Sequence, residues 1–168
     1  MERCAKLLWP KSVSDLTQPI GEKNGRKRSV LTDARGVPLS IIGSAANVND
    51  VVLLVPTLDS IVVPRPAPTK AHPQNLCADA GYKGQPAMEA VLNRKYIPHV
   101  KQRREEAEAK RTQPGFKARR WVVERTHSWM NRFRKLLVSF EKTEASYTAL
   151  FCLAAALVCW RQTIIIYG

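Results

Sequence analysis

The stretch that decides how this chain is read runs from Arg119 to Leu137, RRWVVERTHSWMNRFRKLL. At about 100° per helical residue, Arg120, Glu124, His127, Asn131 and Arg134 fall in one narrow sector. Val122, Trp129, Phe133, Leu136 and Phe140 fall on the opposite side. The spacing predicts an amphipathic helix with Trp129 and Phe133 as core anchors and with Glu124, His127 and Asn131 together on the polar face. Two readings of Glu124 stay open at this level. It is a surface glutamate beside Arg120 or Ser128, contributing about 0.3–0.5 kcal/mol, or it is an acid held in place for chemistry.

The charge balance points outward from that helix. Lys and Arg number 27 against 14 acidic residues, a net charge of +13 and a pI near 10.0. The basic residues cluster at 23–28, 94–104 and 110–120. Such clustering implies a polyanionic partner, nucleic acid first and an anionic membrane surface second. At 168 residues the chain is the size of one domain. Cys4, Cys77, Cys152 and Cys159 have no CxxC spacing, so neither a zinc site nor a disulfide framework is expected, and reduced thiols fit a cytosolic protein. MERCAKLLWPKSVSD lacks the apolar region of a signal peptide. The apolar run ALFCLAAALVCW ends at Arg161 and Gln162, short of the roughly 20 residues a bilayer requires. It is expected to be a buried core helix rather than a membrane span.

Pro10, Pro19, Gly21 and Gly25 make residues 1–25 irregular. RSVLT, DARG and VPLSIIGSA read as strand, turn and strand. Asp50 is placed to cap a helix over VVLLVPTLDSIVV, kinked or shortened at Pro56. PRPAPTKAHPQ is an extended linker. NLCADAGYKG is a short strand ending in a turn, QPAMEAVLNRK a helix, and YIPHVK another strand. KQRREEAEAKRTQPGFKARR is a charged, loop-like segment, and Ser146 or Thr148 starts a last helix reaching about residue 161. Strands alternating with helices imply α/β layering. Asp79 ends its strand, at the kind of sheet edge where ligand sites collect in open α/β folds. A turn-forming Asp is the plainer reading. Carboxylates gathered on a basic protein suit Mg²⁺ with substrate phosphate completing the shell.

The segment from Arg119 to Val158 resembles the C-terminal signature of bacterial insertion-sequence transposases of the DDE type. CADAGYKG is similar to their second-aspartate motif, and KRSVLTDARGVPLSIIGSAANVND to the hairpin between their first and second aspartates. The likeness covers residues 21–162, a catalytic-like domain between an irregular N-terminal remnant (1–20) and a short tail (163–168). It implies a ribonuclease-H-like fold, a mixed sheet flanked by helices, and Mg²⁺- or Mn²⁺-dependent cleavage and transfer of double-stranded DNA. The DNA would be insertion-sequence ends and target. It also implies a cytoplasmic, nucleoid-associated protein with no membrane partner, with a homodimer as one assembly compatible with it. On this match Asp79 is the second acid and Glu124 the third, both metal ligands. Lys83, Arg103, Arg104, Lys117, Arg119, Arg120, Arg125, His127, Asn131 and Arg132 become the candidate DNA contacts.

The family's first aspartate sits on a strand upstream of the hairpin, in a D-[GS]-[ST]-like motif that this chain does not repeat. Asp15 is the nearest acid in sequence. Asp50, at the exit of the second hairpin strand, is better placed to join Asp79, whereas Asp33 belongs to the opposite end of the sheet. The expectation is therefore a shortened transposase with its first strand missing or degraded. It acts as an enzyme or persists as an inactive remnant. The alternative is a non-catalytic basic DNA-binding protein or transposition inhibitor that keeps the fold.

Overall fold

The computed structural model of the chain describes residues 4–8, 26–82, 84–100, 121–138 and 140–167, together with Glu105, Glu108, Arg111 and Thr112. Its organising strand is β2 (Arg26–Thr32), buried without interruption from Arg28 to Thr32. Successive strand residues face opposite sides, so an unbroken buried run needs cover on both faces. Val30 belongs to one core and Leu31 to the other, and neither is exposed at all.

The sheet has five strands in the order β3-β2-β1-β4-β5. β1 (Cys4–Leu8) is central, antiparallel to β2 with Leu8 opposite Val30, and parallel to β4 (Gln74–Ala78) with Lys6 opposite Cys77. β5 (Tyr96–Val100) extends the sheet parallel to β4. β3 (Pro38–Ala45) pairs antiparallel with β2 at the other margin. Pro98 lies within β5, an edge strand, where a missing backbone N–H is tolerated. These directions bring the C-terminal ends of β1, β3 and β4 to one end of the sheet, with the start of β2.

The central position of β1 corrects the expectation of an irregular N-terminus without a first strand. CAKLL is too short and too mixed to announce itself by pattern. It is ordered by pairing on both sides, a long-range cause that local periodicity does not carry. The charged segment after β5 also differs at its four described residues, which have helical backbone.

One face is covered by α1 (Asp50–Asp59) and α2 (Gln85–Asn93), packed over Leu31, Leu58, Leu76 and Val91. The cap of α1 is Asn49, whose side chain accepts from the Val51 N–H at 3.0 Å, and not Asp50. Asp50 is the first helical residue and turns its carboxylate to Lys27 instead. Pro56 does not end α1. Its cost, about 3 kcal/mol inside a helix, is offset by burial of Leu53, Leu54, Thr57 and Leu58.

The other face carries α3 (Trp121–Asn131), α4 (Arg134–Leu137) and α5 (Glu144–Tyr167), around Val30, Met130, Leu136 and Phe151. The single helix expected over residues 119–137 is thus interrupted at Arg132 and Phe133, where Phe133 is extended (φ −82°, ψ 101°). α5 runs to Tyr167, beyond the expected end near residue 161. Only its inner side is buried, so it is not the fully buried core helix that its composition suggested.

Candidate functional site at the ends of the parallel strands

Asp79 directly follows β4, and its carbonyl accepts the Tyr82 N–H at 3.0 Å in a single 3-10 turn, Ala80–Tyr82. That turn swings Tyr82 into the core, 1 % exposed. Its hydroxyl has no hydrogen-bond partner among the described residues. Burial first, then the nearby carboxylates of Asp50 and Asp79, push the phenol well above its ordinary titration range. Tyr82 is therefore a neutral, undischarged proton donor lying close to both acids.

Asp50 reaches this end because β3 delivers it there. Lys27 donates to its Oδ1 at 2.5 Å and to the Val48 carbonyl at 2.8 Å. Both side chains of the ion pair are largely shielded, at 13 % and 12 % exposure. Asp33 sits at the opposite end of the sheet, as its place in the hairpin requires. Its Oδ1 accepts the backbone N–H groups of Arg35 and Val37, both at 2.8 Å, so it is a turn residue.

Glu124 is exposed in the first turn of α3. The buried side of that helix is Val122, Val123, Thr126, His127 and Met130. His127 therefore does not share an open face with Glu124. Trp129 is half-buried with the Arg125 guanidinium 4.9 Å from its ring, and Phe140 is exposed rather than anchoring the core. The buried side of α3 is turned from the one helical periodicity predicts, because Thr126 and His127 are polar yet face inward.

Polar pins hold α3 at its middle and at its C-terminal end. Thr126 Oγ1 donates to the Gly36 carbonyl at 2.6 Å, and Arg125 donates to the Arg35 carbonyl. Gly36 has φ +85°, and a Cβ there would lie 3.0 Å from Thr126 Oγ1 and 3.2 Å from the Val122 carbonyl. Only glycine permits this approach of hairpin to helix. At the far end Asn131 Oδ1 accepts from Arg28 at 2.9 Å. Arg28, 2 % exposed, also donates to the Tyr147 hydroxyl at 2.6 Å and to the Leu136 carbonyl. Asn131 is thus committed to an internal bond.

The likeness to known proteins shows the family. A family model described as Transposase DDE domain matches residues 15–159. The chain belongs to the DDE transposase family. A putative transposase for insertion sequence element IS402 from Burkholderia cepacia is 37 % identical over 140 residues, which is 81 % of this chain and 63 % of that protein. The chain therefore spans less than two thirds of that relative's length. No solved structure matches it.

DDE transposases generally use divalent metal ions. In this family member the described residues include no group of three or more His, Cys, Asp or Glu side chains arranged to hold a metal. β1, the strand upstream of the hairpin, reads CAKLL and offers no carboxylate. Asp50 is held in an ion pair with Lys27. The described donors do not make up a three-carboxylate metal site. Arg132 is exposed and Arg125 half-buried. Asp15, Lys83, Arg103, Arg104, Lys117, Arg119 and Arg120 lie outside the described residues. Sequence reasoning missed the two pinning cations, Lys27 and Arg28, within the run GEKNGRKR. The available signal was the strand period that puts Arg28 on the same side as Val30.

Proposed function

We propose that this chain is the catalytic region of an insertion-sequence transposase with a ribonuclease-H-like fold, acting on double-stranded DNA at element ends and target in the cytoplasm, at the nucleoid. The observation that carries the reading is the family match running through residues 15–159; within that span lie Asp79, directly after β4, and Glu124, in the first turn of α3. The mixed sheet with helices on both faces supports the fold assignment. Asp79 and Glu124 are the second and third acids of the set, with Mg²⁺ or Mn²⁺ as the metal. Because the described donors do not complete a metal site, no chemical step is assigned to it. Lys83, Arg103, Arg104, Lys117, Arg119, Arg120, Arg125 and Arg132 supply the cationic surface that holds phosphates.

The test is cleavage of DNA carrying insertion-sequence ends, with and without Mg²⁺. Asp79→Asn and Glu124→Gln should each abolish metal-dependent nicking, and nicking at the wild-type rate in either variant sinks the assignment.

A second reading is favoured by the shielded Lys27–Asp50 pair and the carboxylate-free β1. It is a non-catalytic DNA-binding protein or inhibitor that retains the transposase fold. It predicts affinity that falls steeply with salt, unchanged by Mg²⁺ and accompanied by no nicking.

A further inference from the structure

Among the described residues the most exposed aromatic side chain is Phe140, at 79 %. It follows α4 on a turn whose backbone is tied down on both sides. Arg28 donates to the Leu136 carbonyl before it, and Arg26 donates to the Glu141 carbonyl after it at 2.9 Å. The Val138 N–H donates to the Arg134 carbonyl, also at 2.9 Å. Arg26 is braced in turn, its guanidinium 4.7 Å from the centre of the Tyr147 ring. The ring of Phe140 is therefore held out in solvent by a pinned backbone.

Place and charge decide what such a ring meets. Arg26 begins β2 and so lies at the sheet end where Asp79 and the Lys27–Asp50 pair gather. Arg132, Arg134, Lys135 and Lys142 flank the ring along the chain, all exposed, against a half-buried Glu141 and an exposed Glu144. Clustered cations select a polyanion. An exposed ring among them selects one that also offers flat faces, and nucleic acid has both. In a duplex those faces are closed within the stack, whereas an unpaired base leaves a face open.

We propose that Phe140 is a stacking site for an unpaired base of a DNA strand, with Arg132, Arg134, Lys135 and Lys142 holding neighbouring phosphates. The choice of DNA as the polyanion rests on the transposase reading; the strand form and the residue that recognises it go beyond that reading. Because the turn is already pinned, the ring gives up little freedom when a base stacks on it. Stacking tolerates any base, so Phe140 reads unpairing rather than sequence. An acidic peptide satisfies the cations but leaves the ring without a flat partner.

Fluorescence anisotropy of the whole chain, with a labelled single strand of about 12 nucleotides and with the matching duplex, tests the proposal. Phe140→Ala should weaken the single strand at least about fivefold and the duplex less than about twofold. Phe140→Trp should restore the single-strand affinity. A strand with abasic sugars should bind wild type and Phe140→Ala alike. Lys135→Gln and Lys142→Gln should each lower the salt slope for the single strand by about 0.7. All three positions are exposed, so the helical circular dichroism should be unchanged. A Phe140→Ala variant that holds the single strand as tightly as wild type overturns the inference, and so does one that loses both forms equally. Duplex binding without single-strand binding overturns it and leaves the transposase reading standing, whereas a chain that binds neither form removes both. Polyglutamate that binds through Phe140 more tightly than the single strand does also overturns it and assigns the surface to an acidic protein.

Discussion

The two faces of the sheet are held by different physics. Beneath α1 and α2 the contacts are side chains such as Leu31, Leu54, Leu58 and Leu76. Its buried polar contacts include neutral ones, such as Ser29 with Thr57 at 2.8 Å and Ser40 with the Thr57 carbonyl. Beneath α3, α4 and α5 a full guanidinium is buried. Arg28 bonds to Tyr147, Asn131 and the Leu136 carbonyl and lies 5.5 Å from the Phe151 ring. No carboxylate is among its described partners. Apolar packing tolerates small slides, whereas a desolvated cation costs several kcal/mol unless every bond keeps its geometry. The difference teaches that the face carrying Glu124 is fixed by direction and the other face by volume.

The strongest way to break that comparison is to remove the cation. Arg28→Ala should cost about 3–5 kcal/mol in urea unfolding, since it deletes the charged bonds and leaves the buried Leu136 carbonyl and the half-buried Asn131 without their donor. Arg28→Lys should recover little, because a point charge cannot reproduce the guanidinium fork. Ser29→Ala, one residue along and on the opposite face, should cost about 1 kcal/mol. Equal losses at residues 28 and 29 would erase the distinction between the faces.

A smaller effect is expected where the hairpin meets α3. Gly36→Ala forces a side chain into positive φ and against Thr126, for a loss of about 1–3 kcal/mol in thermal unfolding. Because Thr126 is two residues from Glu124, the variant should also alter hydrogen exchange in the first turns of α3 while leaving α1 and α2 protected as before. Protection lost equally from both faces would contradict the separate anchoring.

The sequence made the β2–β3 hairpin, α2, β4 and β5 legible because each carries its own local signal. Short runs bounded by turn residues set the strands, Asp33 and Gly36 marked the turn, and Pro86 marked a helix start. β1 was illegible because its cause is pairing with β2 and β4 rather than anything within CAKLL. The break at Phe133 was illegible for the same reason, since the adjoining turns are tied to Arg28 about 100 residues earlier. At the site, the placement of Asp50 at the Asp79 end followed from strand direction and could be read ahead. Its ion pair with Lys27 could not, because a basic run does not say which of its members turns inward. His127 was misplaced because amphipathic reasoning assigns polar residues to the outside, and α3 buries Thr126 and His127 against that rule.

The smallest expected effect tests the apolar face at its margin, where Tyr82 lies near two acids. At neutral pH Tyr82→Phe removes a hydroxyl with no described partner, so stability should change by no more than about 0.5 kcal/mol. Alkali separates the two proteins. An unfolded tyrosine titrates near 10.0, while the folded Tyr82 keeps its proton to higher pH because burial and the neighbouring Asp50 and Asp79 disfavour the phenolate. Above pH 10.0 the unfolded chain thus releases a proton that the folded chain retains. The stabilisation from protonated Tyr82 is complete below that value and declines as pH rises through it, by up to about 1.4 kcal/mol per pH unit. Urea midpoints of wild type and Tyr82→Phe should therefore diverge between about pH 9 and 11, with the variant losing less. Lysines and cysteines titrate in both proteins and cancel in the difference. Parallel curves would mean that the phenol meets solvent and that the apolar face is open where the acids gather, which would make packing by volume an incomplete account of that face.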